Sequence, residues 1–221
     1  MEGDLQDGLV LLRALDTIQE GIVDWAEEVN GTKKINPNPK RKPRPLNKFK
    51  MCENCCYVVE LCKKLKLSLV NVCGNDIYDM NQKLVLGLVW QLMRFHIVTI
   101  LKGLTKGGKE IKDTDLVKWA NESVKAAGKT RQIADFKDPQ LNSGLFLIDL
   151  LQSVKPEAVD ESLVTDGASE ENALLNAKYA ISIARMLGCT IFCLPEDIVE
   201  VNPKMILTFV GSVMAVALGQ Q

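Results

Sequence analysis

Apolar residues recur three and four positions apart along much of this chain. Two stripes show the spacing most clearly: Leu5, Leu9, Leu12 and Leu15, then Cys55, Val59, Cys62 and Leu65. Residues at this spacing share one face of an α-helix, and that face packs on a core. The sequence has no run of alternating polar and apolar residues bounded by hairpin turns, which is the pattern of a half-buried strand. The pattern therefore predicts an all-α fold.

Two segments are apolar almost all round. The first is "NQKLVLGLVWQLMRFHIVTILKGL", which begins at Asn81, and the second is "NPKMILTFVGSVMAVALGQQ", which begins at Asn202. A helix that is apolar on every face is normally buried, so each segment is predicted to be the central helix of a domain. Between residues 205 and 218 the second segment has only Thr208 and Ser212 as polar breaks. It is therefore expected to be the more deeply buried of the two.

A membrane-spanning helix is the alternative interpretation of the first segment. Residues 84–101 form a largely apolar stretch of 18 residues, which is long enough to cross a bilayer. Gln91, Arg94 and His96 lie within it, however, and a charge at the centre of a bilayer costs about 2.5 to 3.5 kcal/mol even on insertion scales. The equivalent stretch near the C-terminus has only 14 residues. We therefore expect helices of soluble domains and no membrane partner.

The chain contains an internal repeat. At an offset of 136 residues, "DGLVLLRALDTIQEGIVDW" from Asp7 aligns with "SGLFLIDLLQSVKPEAVDE" from Ser143. At an offset of 122 residues, "ENCCYVVELCKKL" from Glu53 aligns with "LNAKYAISIARML" from Leu175. At an offset of 121 residues two further pairs align: Asp76 with Asp197, and Asn81 with Asn202. The chain is therefore predicted to hold two copies of one helical domain.

The two copies differ at their beginnings. The second opens with "DTDLVKWANESVKAAGKT", an amphipathic helix with Asp113 or Thr114 as its predicted N-cap and Gly128 as its stop. No equivalent segment precedes the first copy, which is therefore expected to lack its first helix. We predict domains at residues 1–103 and 113–221, joined by a flexible linker at residues 104–112. The Gly-Gly-Lys of this linker lacks the spacing of a phosphate-binding loop.

Charge and cysteine content narrow the function. The 221 residues have a formal net charge of −1, so the protein has no overall attraction for nucleic acid or for an anionic membrane. The first residues lack the basic and apolar regions of a signal peptide. The seven cysteines are odd in number and show no framework spacing, as is typical of a reducing compartment. These features predict a cytoplasmic protein.

Four clustered cysteines raise the alternative of a metal site or a thiol enzyme: Cys52, Cys55, Cys56 and Cys62. The spaced second pair of a zinc site is missing. Their equivalents in the second copy are Leu174, Ala177, Lys178 and Ala184. Cys52, Cys55 and Cys62 are therefore predicted to fill the core, and Cys56 to point outward. His96 is the one histidine and has no partnered nucleophile in the sequence, so we expect neither an enzyme nor a cofactor.

A basic segment, "KKINPNPKRKPRPLNKFK", runs from Lys33 to Lys50. It holds eight basic residues, four prolines and no acidic residue, so it is predicted to be an extended basic loop. Such a loop would steer the protein toward an acidic surface. A solvated loop without a partner and a nuclear-import or nucleic-acid patch are the alternatives.

The order of the segments resembles a tandem pair of calponin-homology domains. The similarity rests on "DLQDGLVLLRAL", "NKFKMCENCCYVVELCKKL", "NQKLVLGLVWQLMRF" and "DLVKWANESVKAAG", and it extends over the chain apart from residues 33–45. It is closest to the second actin-binding domain of the fimbrin (plastin) family. The resemblance implies about four main helices per copy around a central apolar helix. It also implies a monomeric module of the actin cytoskeleton that binds F-actin without catalysis, in a protein that bundles filaments through a second actin-binding domain.

The resemblance also implies an actin-binding surface, which maps onto three segments of this chain. The corresponding residues are Arg44, Lys48, Phe49 and Lys50 before and within one helix, Gln91, Arg94 and Thr99 in the first apolar segment, and Lys118, Glu122 and Lys125 at the start of the second copy. A calponin-homology scaffold that binds a protein other than actin is the alternative.

Overall fold

Helices and turns make up the described part of the protein. The computed structural model describes residues 5–24, 47–104 and 111–219, and every regular element within these ranges is an α-helix or a 3-10 helix. The all-α prediction is confirmed. The chain divides into two compact units, Met1–His96 and Ile97–Gln221.

The first unit is built from four described helices. They are α1 (Leu9–Ile18), α2 (Lys48–Lys64), the short α3 (Gly74–Tyr78) and α4 (Gln82–Leu104), the last of which continues past the boundary at His96. Their apolar stripes meet in one core, whose fully buried members include Leu12, Leu15, Cys55, Val58, Cys62, Ile77 and Leu88. The stripes predicted for α1 and α2 therefore pack as expected.

The second unit contains four longer helices and one short one. They are α5 (Asp113–Ala126), α6 (Leu145–Val154), α7 (Glu170–Met186), the short α8 (Pro195–Val199) and α9 (Pro203–Gly219). A 3-10 turn at Pro139–Ser143 leads into α6, and two more follow it at Pro156–Ala158 and Glu161–Leu163. Large buried side chains such as Phe146, Leu147, Leu151 and Phe209 form the core.

A glycine and an asparagine form the same junction in both copies. Gly8 and Gly144 precede α1 and α6 with φ of +73° and +71°. In the first copy, the side-chain amide of Asn54 donates to the backbone oxygen of Asp7 at 3.1 Å. In the second, Asn176 donates to the backbone oxygen of Ser143 at 2.9 Å. The offsets of 136 and 122 residues thus reproduce one hydrogen bond between the same two elements.

A tyrosine provides a second equivalence. The hydroxyl oxygen of Tyr57 accepts from the backbone N–H of Asp24 at 3.0 Å. Tyr179 accepts from the backbone N–H of Asp160 at 2.7 Å. These two bonds join residues that the sequence repeat also pairs, so the chain holds two copies of one domain.

The helices α4 and α9 are equivalent but differ in burial. Every residue of α9 from Ile206 to Met214 is buried, as expected from its few polar breaks. In contrast, α4 buries a single stripe: Val85, Leu88, Leu92, Ile97 and Leu101. This differs from the enclosure expected for α4. The physical reason is that α5 packs on α9, whereas the described residues of the first unit include no counterpart of α5, and Leu86 is 61% exposed.

By length and composition, α4 is also the one helix in the described ranges that could cross a membrane. A core helix of a soluble domain meets the same criteria. The part of α4 in the first unit supplies Leu88 and Leu92 to that unit's core. The part in the second unit supplies Ile97 and Leu101 to the other core. The apolar residues of α4 are thus used in domain packing.

The start of α5 differs from the prediction by one residue. The helix begins at Asp113, and its N-cap is Lys112 instead of Asp113 or Thr114. The backbone N–H of Lys112 donates to the carboxylate of Asp115 at 2.9 Å. This carboxylate holds the N-cap residue from three positions further on, so the helix needs no acidic N-cap. Gly128 follows the helix end with φ of +78°, as predicted for its stop.

The cysteines follow the predicted pattern with one difference. Cys55 and Cys62 are buried, and burial raises the pKa of each thiol to about 12. Cys56 is exposed, as predicted. Cys52 is half-buried, as is Leu174 at the equivalent position, because both lie near the helix start, where the chain emerges from the core.

Lys66 occupies a backbone conformation that favours glycine. It follows α2 with φ of +58°, and the equivalent residue after α7 is Gly188, with φ of +89°. A side chain in this left-handed region costs about 1 to 2 kcal/mol. We therefore expect Lys66→Gly to raise the free energy of unfolding of the first unit by about 1 kcal/mol. Urea unfolding measures the gain. Lys64→Gly, inside the helix, should lower the stability by about 0.5 to 1 kcal/mol, and a loss at both positions would contradict this account of Lys66.

Candidate functional site

The first turn of α2 presents the predicted residues Lys48, Phe49 and Lys50. The helix begins here because Asn47 has an extended backbone and its side-chain oxygen accepts from the backbone N–H of Lys50 at 3.0 Å. Lys48 and Phe49 are exposed and Lys50 is half-buried. The side chain of Phe49 is 78% exposed, which is unusual for so large an apolar residue.

Helix stability does not account for these residue types. The partial positive charge at a helix N-terminus favours acidic residues there and disfavours lysine. The second copy follows this rule, since α7 begins with Glu170 and Glu171 at the positions of Lys48 and Phe49. The first copy has no acidic residue in this turn. The two lysines and the exposed ring are therefore better explained by a partner than by folding.

Tyr78 joins this turn, and sequence reasoning missed it. The ammonium of Lys48 lies 5.5 Å from the centroid of the Tyr78 ring, within the range of a cation–π contact. Tyr78 ends α3, thirty residues further along the chain. No local pattern in the sequence signals this contact, because it depends on how α3 packs against α2. The ring holds one of the two lysines beside α3.

The predicted residues of α4 are less accessible than those of α2. Gln91, Arg94 and Thr99 are all half-buried. The side-chain amide of Gln91 donates to the backbone oxygen of Ser68 at 3.1 Å. Gln91 therefore ties the segment between α2 and α3 to α4, which gives it a structural role in the first unit.

The predicted residues of α5 lie on its solvent face. Lys118, Glu122 and Lys125 are exposed, while the opposite face of the helix is buried. The ammonium of Lys118 is 3.8 Å from the carboxylate of Glu122, and their side chains are 75% and 67% exposed. An exposed pair of this kind adds only about 0.3 to 0.5 kcal/mol to stability. These side chains are therefore available to a partner at little cost to the fold.

The remaining predicted residue, Arg44, lies outside the described residues, as does the basic segment from Lys33 to Arg44. Within the described ranges the structure brings together Lys48, Phe49 and Lys50 in one helical turn, and Lys118, Glu122 and Lys125 on one helix face. No group of three or more His, Cys, Asp or Glu side chains there could hold a metal ion. The arrangement offers positive charge and one aromatic side chain for recognition.

Comparison with known proteins identifies the domain. The family of the calponin homology (CH) domain matches residues 1–97 and again residues 110–218. The chain belongs to this family and holds two CH domains in tandem.

Relatives of similar arrangement are fimbrins and plastins. The chain is 48% identical to Fimbrin-2 of Arabidopsis thaliana over 98% of its own length and 32% of that protein. It is 47% identical to fimbrin of Schizosaccharomyces pombe over 96% of its length and 33% of that protein. It is 42% identical to Plastin-3 of Danio rerio, again over 96% of its length and 32% of that protein. The chain thus spans about a third of the length of the relatives it matches.

A solved structure shows the same fold. The crystal structure of the actin-crosslinking core of Schizosaccharomyces pombe fimbrin superposes with a TM-score of 0.78 at 44% sequence identity. The match covers 96% of this chain and 42% of that one. The fold implied by the resemblance in the sequence is confirmed.

Proposed function

We propose that this chain is an F-actin-binding module of an actin-bundling protein of the fimbrin type, and that it binds the sides of filaments without catalysis. The observation that carries the proposal is the first turn of α2, where Lys48, Phe49 and Lys50 are presented against the electrostatic preference of the helix end. The similarity to the actin-crosslinking core of a fimbrin supports the choice of partner.

The chemistry of this turn suits an actin filament. Actin filaments present an acidic surface, and two lysines on one helical turn raise the rate of encounter with such a surface. The ring of Phe49 adds apolar area that becomes buried on binding, and aromatic residues are enriched among the residues that contribute most to interfaces. Lys118, Glu122 and Lys125 on α5 form a second contact region in this proposal, and Arg44 extends the first.

The α4 residues Gln91, Arg94 and Thr99 complete the proposed surface as a partly buried contribution. The domains that carry it are residues 1–103 and 113–221, with a linker at residues 104–112. The module acts as a monomer in the cytoplasmic actin cytoskeleton. Since crosslinking needs two actin sites, bundling in this proposal depends on a further actin-binding domain of the full protein.

Co-sedimentation with F-actin tests the proposal. At high centrifugal speed we expect saturable pelleting of the chain with filaments, and the pelleted fraction should fall as salt is raised, because exposed charges are screened. At low speed, which collects only bundles, we expect no pelleting of filaments. Failure to pellet at high speed at any salt concentration would refute actin binding and favour a scaffold for another protein.

A further inference from the structure

An exposed thiol on α2 lies against the start of α3. Gly74 opens α3, and a Cβ atom at this position would lie 2.7 Å from the backbone nitrogen and 2.9 Å from the Cα atom of Cys56, as well as against its sulfur. The glycine therefore allows an unusually close approach of the two helices. Cys73, the residue before Gly74, is also exposed and has a free thiol.

These contacts put the two cysteines within bonding range. With a Cα–Cβ bond of about 1.5 Å and consecutive Cα atoms 3.8 Å apart, the Cα atoms of Cys56 and Cys73 are separated by less than about 8 Å. Disulfides usually join Cα atoms that are about 4.4 to 6.8 Å apart. Both thiols are at the surface, so small side-chain rotations can bring them together without disturbing the core.

The second copy shows that the domain does not need this pair. Lys178, Leu194 and Pro195 stand at the positions of Cys56, Cys73 and Gly74. The CH fold therefore forms with other residues at all three places. The close approach and the two exposed thiols are a property of the first copy alone.

We propose that Cys56 and Cys73 form an oxidative modification site, in which hydrogen peroxide converts the two thiols into a disulfide between α2 and the start of α3. Peroxide first oxidises one sulfur to a sulfenic acid and is itself reduced, releasing one molecule of water. The second thiol attacks this sulfur, so an S–S bond forms, the S–O bond breaks and a second water leaves. The disulfide closes the loop that joins α2 to α3.

Other thiols of the first unit are poor competitors. Cys55 and Cys62 are buried, and burial raises the pKa of each thiol to about 12, so neither supplies the reactive thiolate near neutral pH. Cys52 is half-buried and lies one turn before Cys56 on the same helix. Residues four apart on a helix have Cβ atoms about 5 to 6 Å apart, whereas a disulfide needs about 3.5 to 4.5 Å. A bond within α2 would therefore distort the helix.

Mass spectrometry of the reduced chain, before and after dilute hydrogen peroxide, tests the site. We expect a mass loss of two hydrogen atoms and a cross-link between the tryptic peptides at residues 51–63 and 67–83, which dithiothreitol reverses. Since peptide 51–63 holds four cysteines, variants identify the partner: Cys56→Ser and Cys73→Ser should each abolish the cross-link, and Cys52→Ser should retain it. The oxidised chain should also unfold at a higher temperature than the reduced one.

Three outcomes would overturn the proposal. They are a bond between Cys52 and Cys56, a dimer joined through either exposed thiol, and oxidation of single thiols without any cross-link. Each is distinguishable by mass, and none depends on actin, so the result is independent of the proposed function.

Discussion

Replacing Lys48 and Lys50 together by glutamate is expected to weaken binding to F-actin at least about tenfold, since placing like charges opposite each other across an interface costs several kcal/mol. Both side chains belong to the turn of α2 on which the proposed function rests. The measurement is the dissociation constant from high-speed co-sedimentation, taken at low and at moderate salt. The loss should be largest at low salt, where the electrostatic attraction is least screened.

The same double variant should fold. The second copy begins its equivalent helix α7 with Glu170 and Glu171, so acidic residues are compatible with this turn of the domain. Glutamate near a helix N-terminus also interacts favourably with the helix dipole. The expected cost is the cation–π contact of Lys48 with Tyr78, worth about 0.5 to 1 kcal/mol at an exposed site. The thermal unfolding midpoint should therefore change little.

A matched control separates local contact from overall charge. Lys63→Glu with Lys64→Glu changes the net charge by the same amount and lies in the last turn of the same helix, where both side chains are exposed. This variant should bind F-actin nearly as well as the unmodified chain. Equal weakening by both variants would show that general charge, and not the first turn of α2, governs binding. Unfolding of the first variant alone would show that the turn is part of the packing.

The repeat in the sequence predicted the fold because both copies keep the same side-chain hydrogen bonds. Asn54 and Asn176 align at a fixed offset, and each ties its helix to the turn before the preceding helix. Such bonds require one residue type at one place, so they persist in the sequence while the surrounding apolar residues vary. The helical class followed from the spacing of leucines alone.

Contacts that exist in only one copy could not be predicted in this way. Asp149 is 4% exposed, and its carboxylate lies 2.6 Å from the guanidinium of Arg131 and 3.9 Å from the ammonium of Lys129. Its equivalent in the first copy is the exposed Arg13, so the repeat gives no hint of a buried ion pair.

The candidate site shows the same limit. The exposed turn of α2 was identified through family resemblance, but the contact of Lys48 with Tyr78 depends on the packing of α3. Likewise, the sequence marks Gln91 as a polar break in α4 without revealing that it bonds the backbone of Ser68. Sequence reasoning thus located segments, and the structure assigned the roles of individual side chains within them.

Gly144→Ala is expected to lower the free energy of unfolding of the second unit by about 2 to 4 kcal/mol, through two separable costs. The first is backbone strain, since Gly144 has φ of +71° and a side chain in this region costs about 1 to 2 kcal/mol. The second is steric. An added Cβ would lie 3.1 Å from the backbone nitrogen of Ala177 and 3.1 Å from the Cβ of Asn176. Overpacking of this kind costs about 1 to 3 kcal/mol.

Gly128→Ala isolates the first cost. Gly128 has φ of +78°, and an added Cβ there would have no heavy atom within 4 Å outside its chain neighbours. It should therefore lower stability by only about 1 to 2 kcal/mol. Urea unfolding followed by circular dichroism gives both values, and the difference between the two variants measures the close packing of the turn before α6 on α7. Equal losses would show that the backbone conformation alone requires glycine at position 144, and that the junction shared by the two copies tolerates a methyl group.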